Sequence, residues 1–220
     1  HVEVNHKLEL PAETVLPTRV AEHFIKQANY LHIMDTCLCR AAEGCQEYPI
    51  DQGCLFLGEA ARGINPKLGR EVSREEALAH IRRSQEAGLV HFIGRNKLDT
   101  IWLGVGPGDQ LMTICSCCPC CCLWGVLPDM PVDIQKKIEK MPGVDVSING
   151  ACIGCGECLD DICFVKAISM ENGRALISAE CKGCGRCVAV CPEEAIELSV
   201  DLDLAVKDAI QHISHFVDLS

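Results

Sequence analysis

The chain has 220 residues, 48% hydrophobic but only 4% aromatic, with a formal net charge of −11. This length bounds it to one large or two small domains with apolar side chains enough for a core, and no apolar run approaches the roughly 18–20 residues of a membrane span. Residues 144–220 carry 13 acids against 5 bases and residues 1–143 carry 18 against 15, a balance that argues against nucleic acid and suits either docking on a basic protein surface or simple solubility.

In chain order, Thr18–Leu31 reads as an amphipathic helix with Val20, Phe24, Ala28 and Leu31 on one face. Cys37, Cys39, Cys45 and Cys54 follow in a loop. A second helix starts at a capping box of Ser73 and Glu76, opens its apolar stripe at Ala77 and Ile81, and stops near Gly88. "LVHFI" reads as a short strand and "GVGPGD" as a turn, since the latter fits no nucleotide fingerprint. Then comes "TICSCCPCCCLW", which holds Cys115, Cys117, Cys118, Cys120, Cys121 and Cys122. Pro128 and Pro131 bracket the start of a short helix carrying Lys136, Lys137 and Lys140, and "MPGVD" marks a boundary between lobes. Beyond it "VDVSI", "AISM", "RALIS" and "AIELS" are strand-like, with an Asn172-Gly173 hairpin turn. Asp203–Phe216 reads as a closing helix packed through Leu204, Ala209, Ile213 and Phe216, a lid over the preceding lobe.

There are 18 cysteines, gathered in tight clusters rather than spread as disulfide staples would be. Such clustering is how chains hold metals, and thiolate–metal sites imply a reducing compartment. Residues 152–163 read "CIGCGECLDDIC" and residues 181–192 read "CKGCGRCVAVCP". The first three cysteines of each copy coincide at an offset of 29 and the fourth at 28, an internal duplication. Three thiolates spaced C-x2-C-x2-C wrap three corners of an iron–sulfur cube, and the intervening glycines let the backbone curl around it. This motif pair resembles the bacterial dicluster ferredoxin domain, over roughly residues 145–200. The resemblance implies one 4Fe–4S cluster on Cys152, Cys155, Cys158 and Cys191, and another on Cys181, Cys184, Cys187 and Cys163, because the fourth cysteine of each motif crosses to the other cluster. The first copy departs from the pattern, with four residues before Cys163 instead of three and Phe164 where proline commonly follows. Zinc on these eight cysteines is the alternative, but zinc ribbons use separated CxxC pairs.

The first lobe adds a further resemblance. Its order, CxCR, then GC, then C, an EEAL-type helix ending in AGLVH, and "ICSCCPCCC", is similar to a largely uncharacterised family of anaerobe iron–sulfur proteins in which a cysteine-rich module precedes a dicluster ferredoxin. That resemblance covers residues 30–200 and implies iron–sulfur redox chemistry; members extending further N-terminally fit a chain that opens at His1, with room for an upstream anchor or domain. The residues alone leave the metal of these ten cysteines open between iron–sulfur, zinc, and disulfide or free thiol. Adjacent side chains diverge, so Cys117/Cys120 and Cys118/Cys121 form interleaved CxxC pairs facing opposite sides. The ten thiols thus suffice for two four-thiolate sites, with the loop feeding both. A non-cubane centre like that of disulfide-reducing subunits is a further option, although the CCG spacing of those subunits is absent.

Weaker signals remain. Arg40 follows Cys39 and is placed either to donate to cluster sulfide or to pair with a surface acid. His32, His80 and His91 lie in apolar or helical contexts and read as packing residues. The lysines at 136, 137 and 140 read as a solvated face, with docking of an acidic partner as the alternative.

The fold expected is α+β: a helical, loop-rich cysteine lobe (1–143), a ferredoxin-like βαββαβ lobe (144–202) and a C-terminal helix (203–220). The function expected is single-electron transfer through two 4Fe–4S clusters and one or two more in the first lobe, between a redox partner protein and a larger oxidoreductase complex. The alternatives are a reductase with its catalytic or atypical site in the first lobe, and a redox or metal sensor or assembly protein with structural zinc. No catalytic residue is assigned, and the expected setting is cytoplasmic, reducing and anaerobic.

Overall fold

A computed structural model describes residues 16–94, 97–122, 126, 128–136, 140–159, 162–163 and 165–219. The described residues form two compact units, one running up to Cys118 and taking in the segment from Val206 onward, the other Pro119–Ala205. The division falls after Cys118, and the segment from Val206 groups with the first unit. The hydrogen bonds say why. Asn29 N–H donates to Leu219 O at 3.2 Å and Asp218 N–H to Asp109 O at 2.7 Å, with Val217 and Leu219 buried.

The first unit is built on a five-stranded antiparallel sheet in the order β3-β1-β2-β5-β4. Its strands are β1 Leu31–Met34, β2 Leu55–Leu57, β3 Gly69–Glu71, β4 Val90–Gly94 and β5 Met112–Cys117. The sequence suggests a mostly helical lobe here because β1 and β2 are only four and three residues long and buried throughout. Strands covered on both faces show no alternation to read. Helix α1, Leu16–Gln27, ends before the expected Leu31, which instead opens β1. Val20, Phe24 and Ala28 are buried as the helical pattern requires.

Register decides which side chains share a face. Phe56 lies opposite Thr113, and Phe92 opposite Cys115, so by alternation Cys54, Phe56, Thr113, Cys115 and Cys117 point the same way. Met34, Phe56 and Leu111 on that side pack with Tyr30, Ala60, Ala61 and Ile64, and Cys54 packs against the group. The opposite face presents Leu31, Ile33, Leu55, Leu57, Met112 and Ile114, all buried. It is left for α1 and α3 (Arg74–Glu86), which lie against each other and against β4. Helix α3 carries the expected capping box at Ser73 and Glu76. Its C-terminus closes as a Schellman motif, with Leu89 N–H donating to Ser84 O at 3.0 Å and Gly88 N–H to Gln85 O at 2.8 Å. "GVGPGD" is a turn with a cis Gly106–Pro107 bond, leading from α4 (Lys97–Leu103) toward β5.

His32, His80 and His91 are all buried in this unit. His80 Nε2 lies 2.8 Å from Gly53 O, and His91 Nδ1 lies 3.3 Å from Ser116 Oγ. Burial lowers the pKa of His91 from 6.5 to about 4. Folding therefore excludes a proton that the unfolded chain accepts between those two values. Stability is full above pH 6.5 and falls as the pH drops toward 4, with a loss of about 2 kcal/mol between pH 7 and pH 5. A His91→Gln variant should show a stability difference between pH 7 and pH 5 that is smaller than the wild type's by that amount, read from urea melts at each pH. Equal losses in the two proteins would remove His91 as the cause.

The second unit pairs β6 (Val144–Ile148) with β9 (Ile196–Val200) and β7 (Ile168–Glu171) with β8 (Arg174–Ile177), both antiparallel. The β7–β8 turn is Asn172-Gly173 with φ of 50° and 75°, the doubly left-handed geometry that Asn-Gly favours. A 3-10 turn at Glu157–Leu159 lies between β6 and β7, and α6 (Arg186–Val190) between β8 and β9. A short α5, Val132–Gln135, precedes Lys136; Lys140 pairs with Asp145 at 3.5 Å, and Lys137 lies outside the described residues. The closing helix α7 runs Leu202–Ser214, and its buried positions are Ala205 and Ala209. Leu204 and Phe216, expected to pack, are 44% and 49% exposed. Ala209, expected to pack, is buried, and Ile213 is half-buried. Among the described residues no helix is long and apolar enough to cross a membrane.

Candidate metal centres

The second unit contains two cavities, each lined by four cysteines. One is bounded by Cys152, Cys155, Cys158 and Cys191, the other by Cys163, Cys181, Cys184 and Cys187. Each motif thus sends its last cysteine across to the other's cavity, the exchange that the resemblance to dicluster ferredoxins implies. Electrostatics group the thiols the same way. Burial pushes the Cys187 thiol up to about 12, and the charges of Cys184, Cys181 and Cys163 add to it. Cys158 is raised by burial, then by Cys155, Cys191 and Cys152.

The duplication extends to the backbone. Ala167 N–H and Ala195 N–H each donate to the cysteine sulfur four residues earlier, Cys163 and Cys191, both at 3.2 Å. Ser178 N–H donates to Ala167 O at 2.8 Å, and its counterpart Asn149 N–H to Ala195 O at 2.9 Å. Gly154 and Gly183 hold φ of 73° and 71°. At Gly154 a Cβ would also collide with the Gly173 carbonyl oxygen, so glycine is required there twice over. Asp160, Asp161 and Phe164, where the first copy departs from the pattern, lie outside the described residues.

The cavities differ in charge. Lys182 and Arg186 line the second, their side chains mostly buried, whereas Glu157 and Glu193 line the first. At Cys152, amides of Ala175 and Gly154 and then Arg174 hold the thiol below its usual value. These charged neighbours are not legible from spacing alone, except that Lys182 and Arg186 occupy the gaps between the motif's cysteines.

In the first unit, Cys37 lies beside Cys39, and separately Cys115 lies beside both Cys54 and Cys117. Cys54 Sγ lies 3.8 Å from Cys115 Sγ. Hydrogen bonding with Cys39 and then burial raise Cys37; bonding with Cys115 and then burial raise Cys54; bonding with Cys117 is the largest cause raising Cys115. The one-residue gap between Cys115 and Cys117 follows from β5, since alternate residues of a strand share a face. Cys118, just past the end of β5, lies near Cys45 of the same unit, and in the other unit the sulfurs of Cys120 and Cys121 lie 3.5 Å apart. Cys122 is half-buried, and no described contact ties it to either group.

Arg40 does not take the surface-acid role. It is 1% exposed, in α2 (Leu38–Ala42), and donates to three backbone carbonyls: Nε to Pro49 at 2.9 Å, Nη1 to Ser116 at 2.7 Å, and Nη2 to Gln52. Pro49 and Gln52 belong to the segment joining Cys45 to Cys54, and Ser116 stands between Cys115 and Cys117. One guanidinium thus binds together the segments that carry the thiols.

This site chemistry defines an iron–sulfur-binding protein, and comparison with known proteins agrees. Residues 160–201 match the family model of the LdpA Fe-S cluster-binding domain, a stretch containing Cys163, Cys181, Cys184, Cys187 and Cys191. Over 64 residues the chain is 39% identical to a subunit of the ion-translocating oxidoreductase complex of Methanosarcina acetivorans. That alignment covers 29% of this chain and 24% of the relative, so the chain matches about a quarter of the relative's length.

Proposed function

We propose that the chain is an electron-transfer protein, or a subunit of a larger oxidoreductase complex, with two 4Fe–4S clusters in the second unit held by Cys152, Cys155, Cys158 and Cys191 and by Cys163, Cys181, Cys184 and Cys187, and further thiolate centres among the ten cysteines of the first lobe. The observation that carries this reading is the pair of cavities in which each motif lends its fourth cysteine to the other. The donor set fits the group: four sulfurs per cavity, backbone N–H groups aimed at sulfur, and apolar walls that include Ile162, Ile168 and Ile177. When bound, a 4Fe–4S cluster supplies reversible one-electron chemistry. The chain's own residues fix the thiolates, shield them from water and place charges near them. The relative's name, a subunit of an oxidoreductase complex, supports a partner complex for this chain too. The strongly acidic second unit suits docking on a basic face of that partner.

The experiment is an EPR-monitored reductive titration of anaerobically purified protein. Two reduced-cluster signals that broaden one another support the reading, and an EPR-silent protein with no visible bleaching on reduction overturns it.

The charge difference between the cavities gives a further prediction. Lys182 and Arg186 favour the extra negative charge of a reduced cluster beside them. Lys182→Gln combined with Arg186→Gln should lower the potential of the centre at Cys163, Cys181, Cys184 and Cys187 by about 60 mV or more, a tenfold change in a one-electron equilibrium. The other centre should move far less. Equal shifts of both potentials would show that these cations do not act locally.

A further inference from the structure

The two cavities of the second unit meet solvent differently. Among the described residues, none that lines the cavity of Cys163, Cys181, Cys184 and Cys187 is exposed. Its two cations are enclosed as well: Arg186 is buried, and the Lys182 side chain is only 11% exposed. The cavity of Cys152, Cys155, Cys158 and Cys191 opens outward. Five residues that line it are exposed: Ile153, Cys155, Glu157, Pro192 and Glu193. Of the eight cysteines in the two motifs, Cys155 alone is exposed. Electron exchange between proteins weakens steeply with the distance between their redox groups, so the centre with an exposed ligand is the one a partner can approach.

The mouth of that cavity has the make-up of an interface patch, with apolar surface and a charged rim. Ile153 is 65% exposed although it stands between two of the cysteines, and Leu159, in the turn that carries Cys158, is exposed too. The rim is acidic. Glu157 and Glu193 line the mouth, and the adjoining Glu194 is exposed. The cation here is Arg174, which lies beside Cys152 and donates to Asn149 O at 2.7 Å. Three acids against one base leave the mouth negative, whereas Lys182 and Arg186 make the wall of the enclosed cavity positive.

We infer that the mouth formed by Ile153, Cys155, Glu157 and Glu193 is the face through which the protein exchanges electrons, and that it docks a redox protein whose own redox group is ringed by lysine or arginine. This inference rests on the electron-transfer reading and adds which of the two centres meets the partner. The step moves one electron: the centre on Cys152, Cys155, Cys158 and Cys191 loses it, the partner's one-electron acceptor gains it, and no bond forms or breaks. The enclosed centre exchanges through the open one, since Cys158 of one site and Cys187 of the other belong to the same buried core. Acids on the rim speed encounter with a basic face and orient it, an effect that salt screens.

The test uses the full chain, purified anaerobically, reduced and freed of reductant, with cytochrome c as the probe, a one-electron haem protein whose haem edge is ringed by lysines. Stopped-flow mixing at low ionic strength reads the rate of haem reduction. Glu157→Gln combined with Glu193→Gln should slow it about fivefold, since each pair of opposite charges some 7 Å apart in water contributes roughly a factor of three. The difference should close at about 0.5 M salt. Glu180→Gln combined with Asp145→Asn removes the same charge on the side of the enclosed cavity, where Glu180 pairs with Lys182 and Asp145 with Lys140, which packs on Gly183. That variant should slow the rate less than about twofold. Carbodiimide cross-linking to the probe, followed by mass spectrometry, reads docking without electron transfer, and the joins should fall on Glu157 and Glu193. Equal slowing by the two variants, slowing that persists at high salt, or joins concentrated on Glu180 and Asp145 would overturn the docking face while leaving the clusters standing. A wild type without about eight iron and the reduced-cluster signals would instead overturn the electron-transfer reading itself.

Discussion

Stripping iron from the protein is expected to unfold residues 144–200 while the sheet of the first unit survives. Among the described residues the second unit has no sheet larger than two strands. Its core cluster has Val146, Cys158, Cys187 and Ile196 buried, and around them pack Cys181, Cys191 and only half-buried aliphatics such as Ile148, Ile168, Ile177 and Leu198. Two of the four buried residues are proposed cluster ligands, so the metal and the apolar core occupy the same place. Without the metal, the remaining aliphatic contacts are too few to offset the chain entropy of some sixty residues at ~1 kcal/mol or more each. The first unit differs. Leu55, Leu57, Ile81, Met112 and Ile114 are each fully buried between its sheet and helices, and none is a ligand. Hydrogen exchange read by mass spectrometry, before and after chelation under argon, checks this. Amides of β6 to β9 should lose protection by several orders of magnitude, while those of β1, β2 and α3 stay slow. A single cooperative transition covering both units, or persistent protection in β6 and β9, would contradict it.

The second large effect is expected from Arg40→Met. The methionine fills a similar volume, but it leaves the carbonyls of Pro49, Gln52 and Ser116 without their donor. Unlike a carboxylate partner, a backbone carbonyl cannot be mutated away. The cost is therefore that of orphaned buried acceptors, about 1–3 kcal/mol each before relaxation, or about 3–5 kcal/mol in all. Denaturant melts of anaerobic wild type and variant measure it. A difference below about 1 kcal/mol would mean that water replaces the guanidinium and that Arg40 is dispensable to the loop.

Local signals were legible in the sequence wherever the chain's own chemistry fixes the structure. Ser73 and Glu76 cap α3 as written, Asn172-Gly173 turns the β7–β8 hairpin, and the two four-cysteine runs place their sulfurs around two cavities. The five-stranded sheet was not legible, because β1 and β2 are short and buried on both faces. The split of the "CSCCPCCC" run was hidden for a related reason. Cysteine spacing alone cannot tell a strand, where Cys115 and Cys117 share a face, from the loop that starts at Cys118. Arg40 is next to Cys39 in the sequence, yet its acceptors lie 9, 12 and 76 residues away. Only the fold brings them within reach. On α7 the packing position Ala209 was legible from helical spacing, whereas Ala205 was not, because its small side chain carries little apolar signal.

Metal analysis decides whether the proposed iron–sulfur electron carrier is real. Protein purified without oxygen should contain at least about eight iron and eight acid-labile sulfide per chain, held by the two four-cysteine sites of the second unit. Zinc without labile sulfide, or iron well below eight, would contradict the electron-transfer reading.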